Sequence, residues 1–240
     1  MRPVAVVAVV IGMLCGGAYA QSIAGDLLAG KLVDPKVGQW AWYDLSDKAN
    51  NTTYVIRQAV VGEEKVAGKT GYWLEIEVVP VAGYKTISKM LLTGPASDPR
   101  NIHKVITKDG PEPPQTVEIP RDAKDDSASV GKRKSLGMDN VVTRSGPIRA
   151  EHVSVQKGER TIEVWMSEDV KPCGIVRVVS PEGEMILRSK GIGGADGKSV
   201  ITDGPAAGAK GKEDSGAGQQ GQESQPKIRV ETKSGIGDEK

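Results

Sequence analysis

VWMSEDVKPCGIVRVVSPEGEMILR, residues 164–188, decides the fold, because it reads as three consecutive strands joined by two corners. Ile162, Val164 and Met166 alternate with Thr161, Glu163 and Trp165, an aliphatic face against a mixed one, which is the period of a half-buried strand. Pro172 and Gly174 break the run, and 175–179 resumes it with β-branched residues. Ser180-Pro181-Glu182-Gly183 then supplies a turn in which proline presets φ and glycine accepts a positive one, and the chain returns through 185–187. The stretch is a β-meander.

Working outward, the same pattern recurs upstream. Residues 38–44 alternate through Trp40 and Trp42, 52–61 are rich in β-formers, and 62–71 read as a charged, glycine-containing connection. Tyr72, Leu74, Ile76 and Val78 alternate against Trp73, Glu75 and Glu77, and 84–92 follow after Ala82-Gly83. Asp98-Pro99 is a cap followed by a first-turn proline, and Ile102, Val105 and Ile106 at i, i+3, i+4 predict a short helix there. A second short helix is predicted over 22–31, ended by Gly30. Residues 116–119 read as a brief strand, 120–137 as an exposed charged loop, and 141–143 and 148–155 as strands about a turn at Ser145-Gly146-Pro147. The expected class is mainly β: a single curved antiparallel sheet or incompletely closed barrel with one or two short helices.

The two ends have their own signatures. Met1-Arg2, an apolar run over 4–14 and Ala18-Tyr19-Ala20 have the three parts of a secretory signal peptide, so residues 1–20 are expected to be removed. The apolar run is shorter than the ~20 residues of a membrane-spanning helix, so no transmembrane span is expected after cleavage. Gly12-Met13-Leu14 lacks the aliphatic-small-small spacing that would make Cys15 a lipidation site. From Gly191 onward the composition shifts to glycine, lysine, glutamate and glutamine with no aromatic residue, too little apolar surface to offset ordering entropy. The expected organisation is therefore a β-rich domain over 21–190 and a disordered tail over 191–240.

Charge and cysteine content exclude whole classes of function. The chain has 32 basic and 31 acidic residues, and signal removal takes only Arg2, leaving balance and no electrostatic case for nucleic acid. One cysteine, Cys173, remains, so the core holds without an internal disulfide, and the plain reading of Cys173 is a small buried apolar residue. His103 and His152 are the only histidines after cleavage, with no HxH, HExxH or CxxC spacing, so neither a metal nor a cofactor is expected. Gly131-Lys132-Arg133-Lys134-Ser135 lacks the glycine-rich approach of a phosphate loop and reads as a basic loop tip. Asn50-Asn51-Thr52-Thr53 holds overlapping glycosylation sequons in a hairpin turn.

Taken together, the tryptophan-bearing first strand, GYWLEIE, Asp-Pro before an amphipathic run, Ser-Gly-Pro-Ile and VWMSEDVKPCGIVRV resemble a group of uncharacterised secreted bacterial proteins. Those in turn are similar to the envelope lipoprotein-carrier, or lipoprotein-sorting, fold. The resemblance covers about residues 36–188, with Cys173 where such sequences carry an aromatic after the proline. It implies an antiparallel barrel left partly open and plugged by helices, in the periplasm or outside the cell, with lipid or a lipoprotein as partner. Two function classes emerge. One is a non-catalytic envelope binding module with Trp40, Trp42, Tyr72, Trp73 and Trp165 as candidate ligand lining. The other is a hydrolase using Ser167, Asp169 and a histidine brought close by the fold. A structural envelope protein with no ligand is the third reading.

Overall fold

A computed structural model describes residues 31–119, 132–157 and 159–201. Eleven strands form one antiparallel sheet: β1 (Gln39–Asp47), β2 (Thr52–Val66), β3 (Lys69–Pro80), β4 (Thr86–Leu92), β5 (Ile102–Asp109), β6 (Gln115–Val117), β7 (Lys132–Thr143), β8 (Gly146–Lys157), β9 (Arg160–Met166), β10 (Ile175–Ser180) and β11 (Gly183–Ile192). Their order, β6-β5-β4-β3-β2-β1-β11-β10-β9-β8-β7, is two meanders sewn together where the first strand pairs with the last. Gln39 lies opposite Ile192 and Asp47 opposite Gly183. The sheet is not closed.

Local chemistry makes the hairpins. Ala67 and Gly68 both have positive φ, 48° and 81°, the geometry of a two-residue turn whose twist matches its strands. This tight turn replaces the expected 62–71 connection, and β2 and β3 pair as far as Val66 and Lys69. Between β1 and β2 the Asp47 carboxylate accepts from the backbone N–H of Ala49 and Asn50, which closes the turn.

The meander over 164–188 forms as expected, β9, β10 and β11 pairing in sequence. The corner over 167–174 tucks into the core: Ser167 N donates to Gly174 O, Gly174 N to Val170 O and Val33 N to Pro172 O, while Val170 and Cys173 are buried.

Three further expectations are corrected. The helix expected after Asp98 is only a 3-10 turn, Pro99–Asn101, capped by the Asp98 side chain on Arg100 N, and Ile102 already begins β5. The helical spacing of Ile102, Val105 and Ile106 has another origin. A register shift at Leu91/Leu92 puts Ile102 opposite Leu92, on the same face as Val105, and Ile106 is buried on the other face under Ile201. Next, the loop expected over 120–137 ends earlier, because β7 starts at Lys132; residues 120–131 lie outside the described ones. Finally, the tail does not begin at Gly191: β11 runs to Ile192, and 193–201 are packed on the sheet. The signal segment, the helix expected over 22–31 up to residue 30, and residues 202–240 are outside the described residues.

Alternate residues of the central strands point to an inner face, where Ala41, Tyr43, Ile56, Leu74, Val78, Met90, Val164, Val178 and Leu187 form the core. The Tyr43 hydroxyl donates to Ile175 O at 3.2 Å, and burial, with Cys173 adding to it, holds the phenol well above its ordinary pKa.

The opposite, outer face is covered too. Residues 193–201 cross it as a strap over Arg57 and Glu75, which are 1% and 0% exposed. Arg57 binds Glu75 and Glu77 and donates to the carbonyl oxygens of Asp196 and Lys198, while Ser199 Oγ and Val200 N donate to Glu75. Ile201 packs with Ile87, Ile106 and Trp73.

On the other half of the sheet, the β7–β8 hairpin overhangs the end of β9, whose last partner is Glu151. The overhang folds back over β9, β10 and β11 and reaches β1, where Arg144 Nε meets Asp44 Oδ2 at 3.0 Å and Ser145 Oγ donates to Arg188 O. Val141, Ile148 and Ala150 are the overhang's own buried residues.

Candidate functional site

Among the described residues two concavities stand out, one on each face. The first is a trough on the inner face, at the end of the sheet where the β1–β2, β3–β4 and β10–β11 turns lie. Leu45, Ile56, Val178 and Met185 line a cavity of about 40 Å³ there. Ser46, Asp47, Ser180, Glu182 and Glu184 complete its lining, and Tyr54, Val155 and Ile162 at the same end of the core are only partly buried, so apolar side chains reach the surface here. At the same end the β3–β4 turn exposes Val81 by 81% and Tyr84 by 73%. The opposite end is filled by the corner over 167–174 and by Ala96 from the β4–β5 connection. A cavity of this size holds a few waters at most, so an apolar chain would lie along the open mouth, not inside an enclosed chamber.

The second place is a polar cleft of about 430 Å³ between the β7–β8 overhang and the outer face, lined by Asp139, Asn140, Val142, Arg177, Glu184 and Trp165 among others. It owes its shape to one cross-strand row: His152 on β8 lies opposite Trp165 on β9, which lies opposite Arg177 on β10. The His152 ring stacks on the indole at 4.1 Å between centroids, and the Arg177 guanidinium sits 4.9 Å from the indole ring. Trp165 Nε1 donates to Asp139 Oδ2 at 2.9 Å, tying the overhang to the sheet. His152 also faces Asp139 at 3.1 Å and Glu163 at 3.5 Å, and Arg177 Nε donates to Glu184 at 2.8 Å.

The five expected lining residues are not brought together. By register Trp40, Trp42, Trp73 and Trp165 share the outer face, whereas Tyr72 lies opposite Leu92 on the inner one. Trp40 lies over Gly191, where a Cβ would come within 2.5 Å of its ring, and donates to Gly193 O. Trp42 is half-buried opposite Arg57. Trp73 donates to Glu64 and carries the ammonium groups of Lys89 and Lys104 at 5.1 and 5.8 Å from its ring. Of the five, Trp165 lines the polar cleft. The trough is lined instead by Leu45, Ile56, Val178 and Met185, ordinary alternating strand residues whose pattern marks a buried face without saying which end of it stays open.

The residues of the hydrolase reading are also apart. Among the described residues Ser167 Oγ accepts from Asp169 N, at 3.4 Å, while His152 bridges Asp139 and Glu163 and His103 bonds Thr93 Oγ1 at 2.7 Å. Cys173 is buried and its thiol is pushed up to about 12 by desolvation, so it stays protonated at neutral pH. Among the described residues no group of three His, Cys, Asp or Glu side chains is placed to hold a metal ion, and no helix is long and apolar enough to cross a membrane.

No family model matches the chain, and no curated protein does. Among solved structures it is similar to a Bacteroides fragilis protein described as exported and of YmcC-like fold, at 8% identity over 68% of this chain and 99% of the other, with a TM-score of 0.37. It is also similar to a Parabacteroides distasonis protein described as a lipoprotein, at 11% identity over 68% of this chain and 99% of that one, with a TM-score of 0.39. A third is MucB in complex with MucA(peri), at 11% identity over 72% of this chain and 53% of that one, with a TM-score of 0.35.

Proposed function

We propose that this is a non-catalytic binding protein of the cell envelope, exported by its N-terminal signal, whose inner-face trough takes the apolar chain of a lipid or of a lipidated partner. The observation that supports this reading is the unsealed core. Leu45, Tyr54, Val155 and Ile162, all partly buried, carry the apolar inner face out to one end of the sheet, where the cavity is lined by Leu45, Ile56, Val178 and Met185 and rimmed by Ser46, Asp47, Ser180, Glu182 and Glu184. Partly exposed aliphatic side chains gain about 25 cal/mol for every Å² that a bound chain covers, and they supply no hydrogen-bonding groups that would select a polar ligand.

Native mass spectrometry of the protein purified from its own envelope tests the proposal, together with displacement of a fluorescent fatty acid. An extrinsic probe is needed because the tryptophans lie on the other face. The expected result is a co-purifying acyl lipid and saturable uptake of the probe, both weakened in Leu45→Gln. A bare polypeptide mass with no saturable uptake would remove the lipid reading.

A further inference from the structure

Two neighbouring turns at one end of the sheet form an apolar tip. The β3–β4 turn exposes Val81, Ala82 and Tyr84, and the β5–β6 turn beside it exposes Pro111, Pro113 and Pro114. The two are joined: Gly110 N donates to Lys85 O at 3.0 Å, and Tyr84 packs on Gly110, where a Cβ would come within 2.9 Å of the tyrosine side chain. Seated in this way, Tyr84 is still 73% exposed and Val81 81%. Charge is sparse over residues 81–85 and 110–114. It amounts to Lys85 and Glu112, and Lys85 Nζ is answered by Glu77 at 2.8 Å.

Backbone chemistry narrows the partner. Pro111, Pro113 and Pro114 have no N–H, the Gly110 N–H is used on Lys85, and Glu112 N donates to Asp109 O at 3.0 Å, so residues 110–114 offer no unanswered backbone donor. The Glu112 carbonyl is answered as well, by Lys108 Nζ at 2.6 Å. A protein partner ordinarily makes about one hydrogen bond per 100–200 Å² of interface, and this turn has little to make it with. Surroundings that supply no hydrogen bonds cost it little, whereas free N–H groups would be expensive there. We propose that the tip docks on a lipid bilayer, with Val81, Tyr84 and the proline turn among the headgroups and upper acyl chains. The N–H groups of residues 81–84 need water or headgroup oxygens, which holds the depth at the interface, where tyrosine is favoured. With 32 basic and 31 acidic residues in the chain, the attraction comes from apolar area and not from anionic lipid. Docking depends on the two turns and not on the trough, although the trough opens at the same end.

The test is flotation of the exported protein with phosphatidylcholine vesicles, which present a bilayer without net charge. The protein should rise with the vesicles equally at low and high salt, because no screened attraction is involved. Val81→Asp combined with Tyr84→Asp, both at exposed positions, should leave Tm unchanged and lower the partition coefficient at least about tenfold, a difference of about 1.4 kcal/mol. Orientation is read separately. An environment-sensitive fluorophore on Ala82→Cys should shift to the blue on vesicles, and the same dye on Lys69→Cys, beside the β2–β3 turn at the other end of the sheet, should not. Cys173 is buried and stays unlabelled. No flotation, equal flotation of the double variant, or a dye shift at both ends would overturn the inference. Binding that disappears at high salt would overturn it too, since it would show attraction by charge. Leu45→Gln should float as the wild type does, so the trough reading and the docking reading stand or fall separately.

Discussion

Arg57, Glu75 and Glu77 show how much a single side chain depends on what covers it. Their alternation marks them as one polar face of β2 and β3, yet Arg57 and Glu75 are sealed beneath the strap, with their hydrogen-bonding groups answered by backbone and by Ser199. A buried charge that loses its partner retains the desolvation cost without the attraction. Arg57→Met is therefore expected to cost about 3–5 kcal/mol in a urea melt, because two buried carboxylates lose their guanidinium. Glu75→Gln should cost less, since Arg57 keeps Glu77 at 3.0 Å. Cys173 makes the opposite case, where the plain reading holds. With its thiol pushed up to about 12, it has almost no thiolate at pH 8, so iodoacetamide should leave the native protein unmodified and alkylate it fully once urea unfolds it. Rapid alkylation of the folded protein would contradict the burial. At the same scale, His103 and His152 differ only by neighbours that sequence spacing does not reveal: Thr93 for one, and Trp165, Asp139 and Glu163 for the other.

Among the elements, the strap over 193–201 departs most from expectation. Its glycine-rich composition offers little to bury, and it is held instead by a few specific contacts: Trp40 on Gly193, Arg57 on Asp196 and Lys198, and Ile201 against Ile87 and Ile106. Gly197 is needed here, since a Cβ on it would stand 2.5 Å from Gly38 O. Truncation after Ile192, which spares β11 and removes the strap with the rest of the C-terminal segment, should lower Tm by about 6–12 °C if about 3 kcal/mol is lost. Truncation after Ile201 should leave Tm nearly unchanged. Equal melting of both truncations and the full chain in calorimetry would show that the strap does not stabilise the sheet. The element after Asp98 carries the converse lesson: the cap was legible and forms, but it starts a single 3-10 turn because the apolar residues behind it serve both faces of a covered strand. Helical spacing and a doubly covered, bulged strand look alike when only positions are known.

At the scale of the whole molecule, intact-mass measurement of the exported protein should show a chain beginning at Gln21, as expected from the tripartite signal before Ala18-Tyr19-Ala20. A mass carrying a diacylated Cys15 would overturn that. The meander over 164–188, the apolar alternation and most strands, though not β5, the start of β7 or the β2–β3 turn, were determined by sequence alone, because φ preference, β-branching and period 2 are local properties of the chain. The pairing of β1 with β11, the strap on Arg57 and Glu75, and the fold-back of the β7–β8 overhang onto Trp165 were decided only by tertiary structure. Each joins residues far apart in the chain, so no window of sequence contains both partners. Period 2 divides side chains between two faces but does not say which face is covered, and by what. That is why four tryptophans read as the lining of one cavity lie on the outer face, while the trough is lined by plain aliphatic residues.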